Sequence, residues 1–178
     1  MEQLIIRNAI LEDLPEVAKL HVDSWNNTYK GIIAQNHLEN MKNNLDKRIE
    51  RMKNEFSLRN MIVATINDKI VAFSEFALSN EFSKDLDIDC ELCGLYVKNE
   101  YLKSGIGTQV FNYVRNLFIS NNKKKMGLWC VKENENAINF YKRKGGVIVA
   151  EKKFTLSEKE YSEVAFEYKL GGNPNEWK

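Results

Sequence analysis

The stretch from Asp89 to Val110, DCELCGLYVKNEYLKSGIGTQV, constrains the fold more than any other part of the chain. Cys90 to Val97 is rich in Leu, Tyr and Val and reads as a strand. Lys98 to Ser104 reads as a short basic loop. Gly105 and Gly107 then open a helix whose apolar residues Ile106, Val110, Phe111, Val114 and Leu117 fall on one face. A glycine-bearing turn at a helix start presents backbone N–H groups that lack intrahelical partners, together with the positive end of the dipole. Such a turn suits a phosphate, and glycine lets the ligand come close to the backbone. The candidate cradle is the run of amides from Lys103 through Ser104, Gly105, Ile106 and Gly107 to Thr108. A tight connection without a ligand is the other reading of a glycine pair. The dinucleotide fingerprint is excluded, because Val110 stands where its third small residue belongs. The NTP-binding loop is excluded because no Gly-Lys-Ser/Thr follows.

A second strand and helix follow in LWCVKENENAINFYKRKGG. Asn134, Ala137 and Tyr141 stand at i, i+3 and i+7, on one helical face. Asn134 is also a favoured N-cap. Taken together, ELCGLYV, the loop YLKSGIGT and the N-x-x-A-x-x-x-Y face followed by Gly145 resemble the GNAT superfamily of N-acetyltransferases. The opening IRNAILEDLPEVAKLHVDSW is similar to that family's first strand and helix.

The resemblance implies an α/β (α+β) fold. Its mostly antiparallel mixed sheet of six to seven strands would splay between strands 4 and 5, with about four flanking helices. It implies acetyl-CoA as co-substrate, its pyrophosphate on the amides of the cradle and its pantetheine along Leu95, Tyr96 and Val97. Gly94 matches the bulge at which such a strand frees its backbone groups. By the same resemblance Asn134 and Ala137 border the cofactor arm, and Tyr141 is the general acid beside the sulfur. Glu91, on the central strand, is the candidate base acting through water, with Glu75 as the fallback. Trp25, Tyr29 and Glu75, with His37, are candidates for the acceptor side. Packing of these side chains onto the sheet is the alternative. Two departures stand out. Leu102 holds the place usually taken by Gln or Arg, which leaves amides and Lys103 to meet phosphate. Gly145-Gly146 replaces the usual Gly-Phe, so looser packing is expected at the next strand.

The rest of the chain fits one domain over residues 1–170 with a tail at 171–178. Leu4–Arg7 reads as a strand. A helix over Glu12–Trp25 carries Leu14, Val17, Ala18, His21, Val22 and Trp25 on one face, with Pro15 in its first turn. His21 reads as a packed core histidine. One helix is expected over Gln35–Asn54. Met61–Ile66 and Lys69–Leu78 read as strands joined by an Asn67-Asp68 hairpin turn. Strands are expected at Met126–Lys132, Val147–Phe154 and Val164–Leu170, and a helix at Asn134–Lys144. Asp85, Asp87, Asp89 and Glu91 form an acidic run that is either a solvated edge or an attractor for a cationic amine.

Composition narrows the partners. A net charge of +1 over 178 residues gives no case for nucleic acid or a membrane surface. No apolar run spans a bilayer and no signal-peptide core is seen, so the cytoplasm is expected. Cys90, Cys93 and Cys130 are too few and odd for a disulfide framework. Cys90 and Cys93 form a C-x-x-C, but on a strand their sulfurs point to opposite faces, so no metal is expected.

Acetyl transfer to an amine needs a neutral nucleophile, yet an amine of pKa ~10.4 is uncharged in only about one molecule in 2,500 at pH 7. A base must therefore take its proton, and an acid must protonate the departing thiolate. The expected function is acetyl transfer from acetyl-CoA to a primary amine, a small amine or polyamine. A protein N-terminus, a lysine or an aminoglycoside are the other acceptors. A non-catalytic CoA-binding sensor is the alternative of another class. Homodimerisation is left open.

Overall fold

The computed structural model describes residues 3–80 and 83–171; of the expected tail at 171–178, all but Gly171 lies outside them. Its elements are β1 (Ile5–Asn8), α1 (Leu14–Thr28), α2 (Gln35–Asn43), α3 (Leu45–Glu55), β2 (Asn60–Ile66), β3 (Lys69–Ala77), β4 (Cys90–Val97), α4 (Ile106–Ser120), β5 (Lys125–Val131), α5 (Glu135–Arg143), β6 (Val147–Leu156) and β7 (Lys159–Lys169). The strands make one mixed sheet in the order β1-β2-β3-β4-β5-β7-β6. The described residues group into two compact units: residues 3–76 with 94–114, and residues 77–80 and 83–93 with 115–171.

In the first unit β1, β2 and β3 are antiparallel. Asn67 and Asp68 both take positive φ, 49° and 59°, the backbone of a hairpin turn that matches strand twist. Asp13 fixes the approach to α1. Its carboxylate accepts from Arg7 at 2.6 and 2.8 Å and from the Ile10 amide at 2.8 Å. One stripe of α1 (Leu14, Val17, Ala18) packs with Met52 of α3, Met61 and Val63 of β2, and Ile70 and Phe73 of β3. The single helix expected over residues 35–54 is instead two, broken at Asn44. The Asn44 side-chain amide donates to the Asn40 carbonyl at 2.9 Å and to its side-chain oxygen at 2.7 Å, so it competes with the helical ladder. On α4 the buried stripe is Ile106, Val110, Phe111, Val114 and Phe118; Phe118, not Leu117, continues it.

In the second unit β5 and β7 pair antiparallel over Lys125–Val131, and β6 and β7 form a hairpin. Ser157 and Glu158 make its turn, both with positive φ. The parallel ladder of β4 and β5 is short, Cys90↔Met126 and Glu91↔Gly127. Gly146 is tightly packed, contrary to the looseness expected from the missing aromatic. A Cβ there would sit 2.6 Å from the Tyr168 hydroxyl and 2.9 Å from Phe166. Tyr168 and Phe166 pack directly against Gly146. Among the described residues no helix is long and apolar enough to cross a membrane.

Candidate active site

In the second unit Glu91 is buried, at 6% exposure, and not a surface carboxylate. The Ser83 hydroxyl donates to Glu91 Oε2 at 2.9 Å, and the Trp129 indole N–H donates to the Ser83 oxygen at 2.9 Å. Burial pushes the Glu91 carboxyl above its ordinary range, while the Ser83 hydrogen bond pulls the other way. Lys152 stands 3.8 Å over the Trp129 ring and pairs with Glu163 at 3.3 Å.

Tyr141 is also buried, in the apolar stripe of α5. Its ring lies 5.7 Å from that of Phe166, and its carbonyl accepts from the Tyr168 hydroxyl at 3.0 Å. Asn134 caps the helix, its side-chain oxygen accepting from the Ala137 amide at 3.2 Å. Strand pleating then separates Tyr141, the expected acid, from Glu91, the expected base. Phe166 pairs with Leu128, so α5 covers the face of the sheet that carries Leu128. Glu91 pairs with Gly127 and is linked through Ser83 to Trp129, both on the opposite face. Tyr141 and Glu91 therefore approach the second unit's strands from opposite faces, too separated by the sheet to exchange a proton directly.

The acidic run divides. Asp89 accepts from the amides of Lys124 and Lys125 at 2.7 and 2.9 Å, and Asp87 pairs with the Lys125 ammonium. These carboxylates hold the start of β5. Asp85 is exposed, and among the described residues it has no such partner. Cys90 and Cys130 are buried, and burial pushes both thiols up to about 12, so neither supplies a thiolate near neutral pH. Among the described residues no group of three or more His, Cys, Asp or Glu gathers to hold a metal.

In the first unit Lys103 and Gly105 take positive φ, 63° and 88°, and the first helical hydrogen bond after the turn is Gln109 N–H to the Gly105 carbonyl. The amides of Ile106, Gly107 and Thr108 lie in the helix's first turn, where no intrahelical acceptor exists, whereas the Ser104 amide donates to the Tyr101 carbonyl at 3.4 Å. Alternating hand along a backbone makes an anion-binding concavity. No atom lies within 4 Å of where a Gly105 Cβ would be, so the cradle is open to a phosphate. Leu102 is exposed and contributes only its backbone.

The same unit gathers an aromatic cluster. The Trp25 ring lies 4.7 Å from Tyr29 and 6.1 Å from His37, and its indole N–H reaches the Tyr96 hydroxyl at 3.4 Å. Tyr96 stacks on Phe73 at 4.9 Å and meets His21 edge-on at 4.5 Å. His21 is held neutral, its pKa pushed down to about 3 by burial and then by Arg48, Arg51 and Arg59. Its Nδ1 accepts from the Arg48 guanidinium. Glu75 pairs with Arg59 at 2.8 Å.

The sequence matches the model of the acetyltransferase (GNAT) family over residues 15–146. The chain belongs to that family. The acetyltransferase is 28% identical over 159 residues to the uncharacterized N-acetyltransferase YuaI of Bacillus subtilis (strain 168), covering 89% of each chain. Its fold is shared by PaiA N-acetyltransferase from Thermoplasma acidophilum, solved in complex with coenzyme A. That match has a TM-score of 0.73 and 20% identity and covers 94% of this chain and 99% of the other. A GCN5-related N-acetyltransferase from Rhodopseudomonas palustris gives a TM-score of 0.76 at 16% identity, covering 96% and 98%.

Of the residues expected from sequence, the acetyltransferase brings Trp25, Tyr29, His37 and Tyr96 into one cluster, with Glu75 held by Arg59. Leu95, Tyr96 and Val97 follow Gly94 at the end of β4, and Tyr96 is folded back over Gly94, where a Cβ would lie 2.7 Å from its ring. Sequence reasoning missed Ser83, Trp129 and Arg48. Ser83 lies in a loop with no periodic signal. Trp129 stands two residues from Gly127 on β5 and shares its face, so pleat parity was the signal available for it.

Proposed function

We propose that this protein transfers the acetyl group of acetyl-CoA to a small primary amine by direct attack, without an acyl-enzyme. The observation that carries this reading is the match to the acetyltransferase (GNAT) family over residues 15–146, together with the open, positive-φ turn at Gly105 ahead of α4. Acetyl-CoA supplies an activated thioester. Glu91, raised above its ordinary range by burial, takes the amine's proton directly or through water. Ser83 orients that carboxylate and Trp129 orients Ser83. Tyr141 donates the proton that the departing thiolate needs. The amides of Lys103, Ser104, Gly105, Ile106, Gly107 and Thr108 hold the pyrophosphate, and the backbone of Leu95, Tyr96 and Val97 pairs with the pantetheine. Asn134 and Ala137 border the cofactor arm.

Trp25, Tyr29 and Glu75 line the acceptor side in this reading. A polyamine acceptor leaned on the acidic run. Asp87, Asp89 and Glu91 are committed to protein partners, so that support is withdrawn. Cys90 and Cys130 are buried with raised thiols, which disfavours those two as acyl carriers. Three free cysteines also favour a reducing compartment, the cytoplasm. The test is thiol release from acetyl-CoA across a panel of primary amines. Amine-dependent release is expected. Tight CoA binding without release under any amine would favour a sensor.

A further inference from the structure

Arg48 is the least compensated charge in the first unit. It sits on α3 against α1, and burial lowers its pKa. Its guanidinium donates to the neutral His21 ring, and its Nε is buried without a partner. Among the described residues no carboxylate lies within ion-pair distance of Arg48. The nearby acids Glu55 and Glu75 both bond to Arg59. A guanidinium taken partly out of water costs free energy that a bound anion offsets, and buried charges in folded proteins are as a rule paired. Arginine's planar fork also matches the two oxygens of a carboxylate.

Glu75 supplies the opposite pole. Arg59 holds its Oε1, its side chain stays partly exposed, and it stands two residues from Phe73 on the same face of β3; the Phe73 ring meets His21 at 6.0 Å and stacks on Tyr96. An anion acceptor at Arg48 and an amine acceptor at Glu75 therefore lie in one neighbourhood, beside the rings of Trp25, His21 and Tyr96. We infer that the acceptor is a small zwitterion, a primary amine that also carries a carboxylate, with Arg48 binding the carboxylate and Glu75 meeting the amine end. This rests on Trp25, Tyr29 and Glu75 forming the acceptor side. It replaces the polyamine with an amino-acid-like substrate.

The test compares amino acids with the amines that differ from them only by loss of the carboxylate. Wild-type kcat/KM should be at least about tenfold higher for the acid of each pair, the worth of one charge-assisted hydrogen bond. Simple carboxylates without an amine should inhibit competitively against the acceptor and not against acetyl-CoA. Arg48→Met should raise KM for the amino acid about tenfold or more while leaving KM for acetyl-CoA unchanged. Equal or better turnover of the decarboxylated amines overturns the inference and leaves acetyl transfer standing. If no amine of either kind releases thiol, the transfer reading fails. Calorimetry on the wild type then decides this one separately. Amino acid binding that the decarboxylated amine lacks supports it, and no such difference overturns it.

Discussion

Ser83→Ala isolates the hydrogen bond to Glu91, the proposed base. The hydroxyl donates at 2.9 Å to a carboxylate that is 6% exposed. A hydrogen bond to a charged group contributes about 1.5–3 kcal/mol, and each pKa unit corresponds to about 1.36 kcal/mol. The bond favours the ionised form, so it lowers the Glu91 pKa against the upward push of burial. Its removal raises that pKa further. Because the base must be ionised, the acid limb of the kcat/KM profile moves to higher pH, and the lost hydrogen bond lowers the rate well below the limb about ten- to hundredfold, while above the limb the rate is restored. The Trp129 indole N–H also loses its acceptor, which lowers stability by about 1–3 kcal/mol, so the profile is taken well below the melting temperature of the variant. Ser83→Thr keeps the hydroxyl and should return the limb toward its wild-type position. An acid limb that stays in place in Ser83→Ala, or moves to lower pH, refutes the reasoning.

Three further outcomes are expected. Tyr141→Phe should lower kcat roughly 10²–10⁴-fold with acetyl-CoA affinity intact, measured by steady-state kinetics and calorimetry; an unchanged, chemistry-limited kcat would leave Tyr141 as packing against Phe166. Gly105→Ala forces a side chain onto a φ of 88°, which costs about 1–2 kcal/mol; KM for acetyl-CoA should rise about five- to thirtyfold with kcat little changed. Gly146→Ala drives a Cβ to within 2.6 Å of the Tyr168 hydroxyl, so denaturant unfolding should show a loss of about 1–3 kcal/mol.

Patterned segments were legible in the sequence, and long-range polar partnerships were not. β4 runs over Cys90–Val97 and α4 starts at Ile106, as the apolar pattern and the two glycines require. The Asn67-Asp68 turn announced itself by residue type, whereas Ser157-Glu158 adopts the same positive φ values without the usual asparagine or glycine. There the β6–β7 pairing imposes the turn. The break at Asn44 depends on one side chain bonding back to Asn40, and an apolar stripe passes over such a residue without registering it. Glu91 could be picked out as a carboxylate on the central strand. Its burial depends on Ser83, eight residues away in a loop, and on Trp129 from another strand. The acidic run looked like one patch. Two of its members, Asp87 and Asp89, instead bind the start of β5, because backbone amides and a lysine there lack other acceptors.

The central claim, direct transfer between two substrates bound together, is tested most directly by initial rates measured while acetyl-CoA and the best amine are varied against each other. Direct attack requires both substrates on the protein at once, so the double-reciprocal lines should intersect. Thiol should be released only with amine present, without a burst. Parallel lines, with a burst of thiol before any amine is added, would mean an acyl-enzyme and would contradict the account.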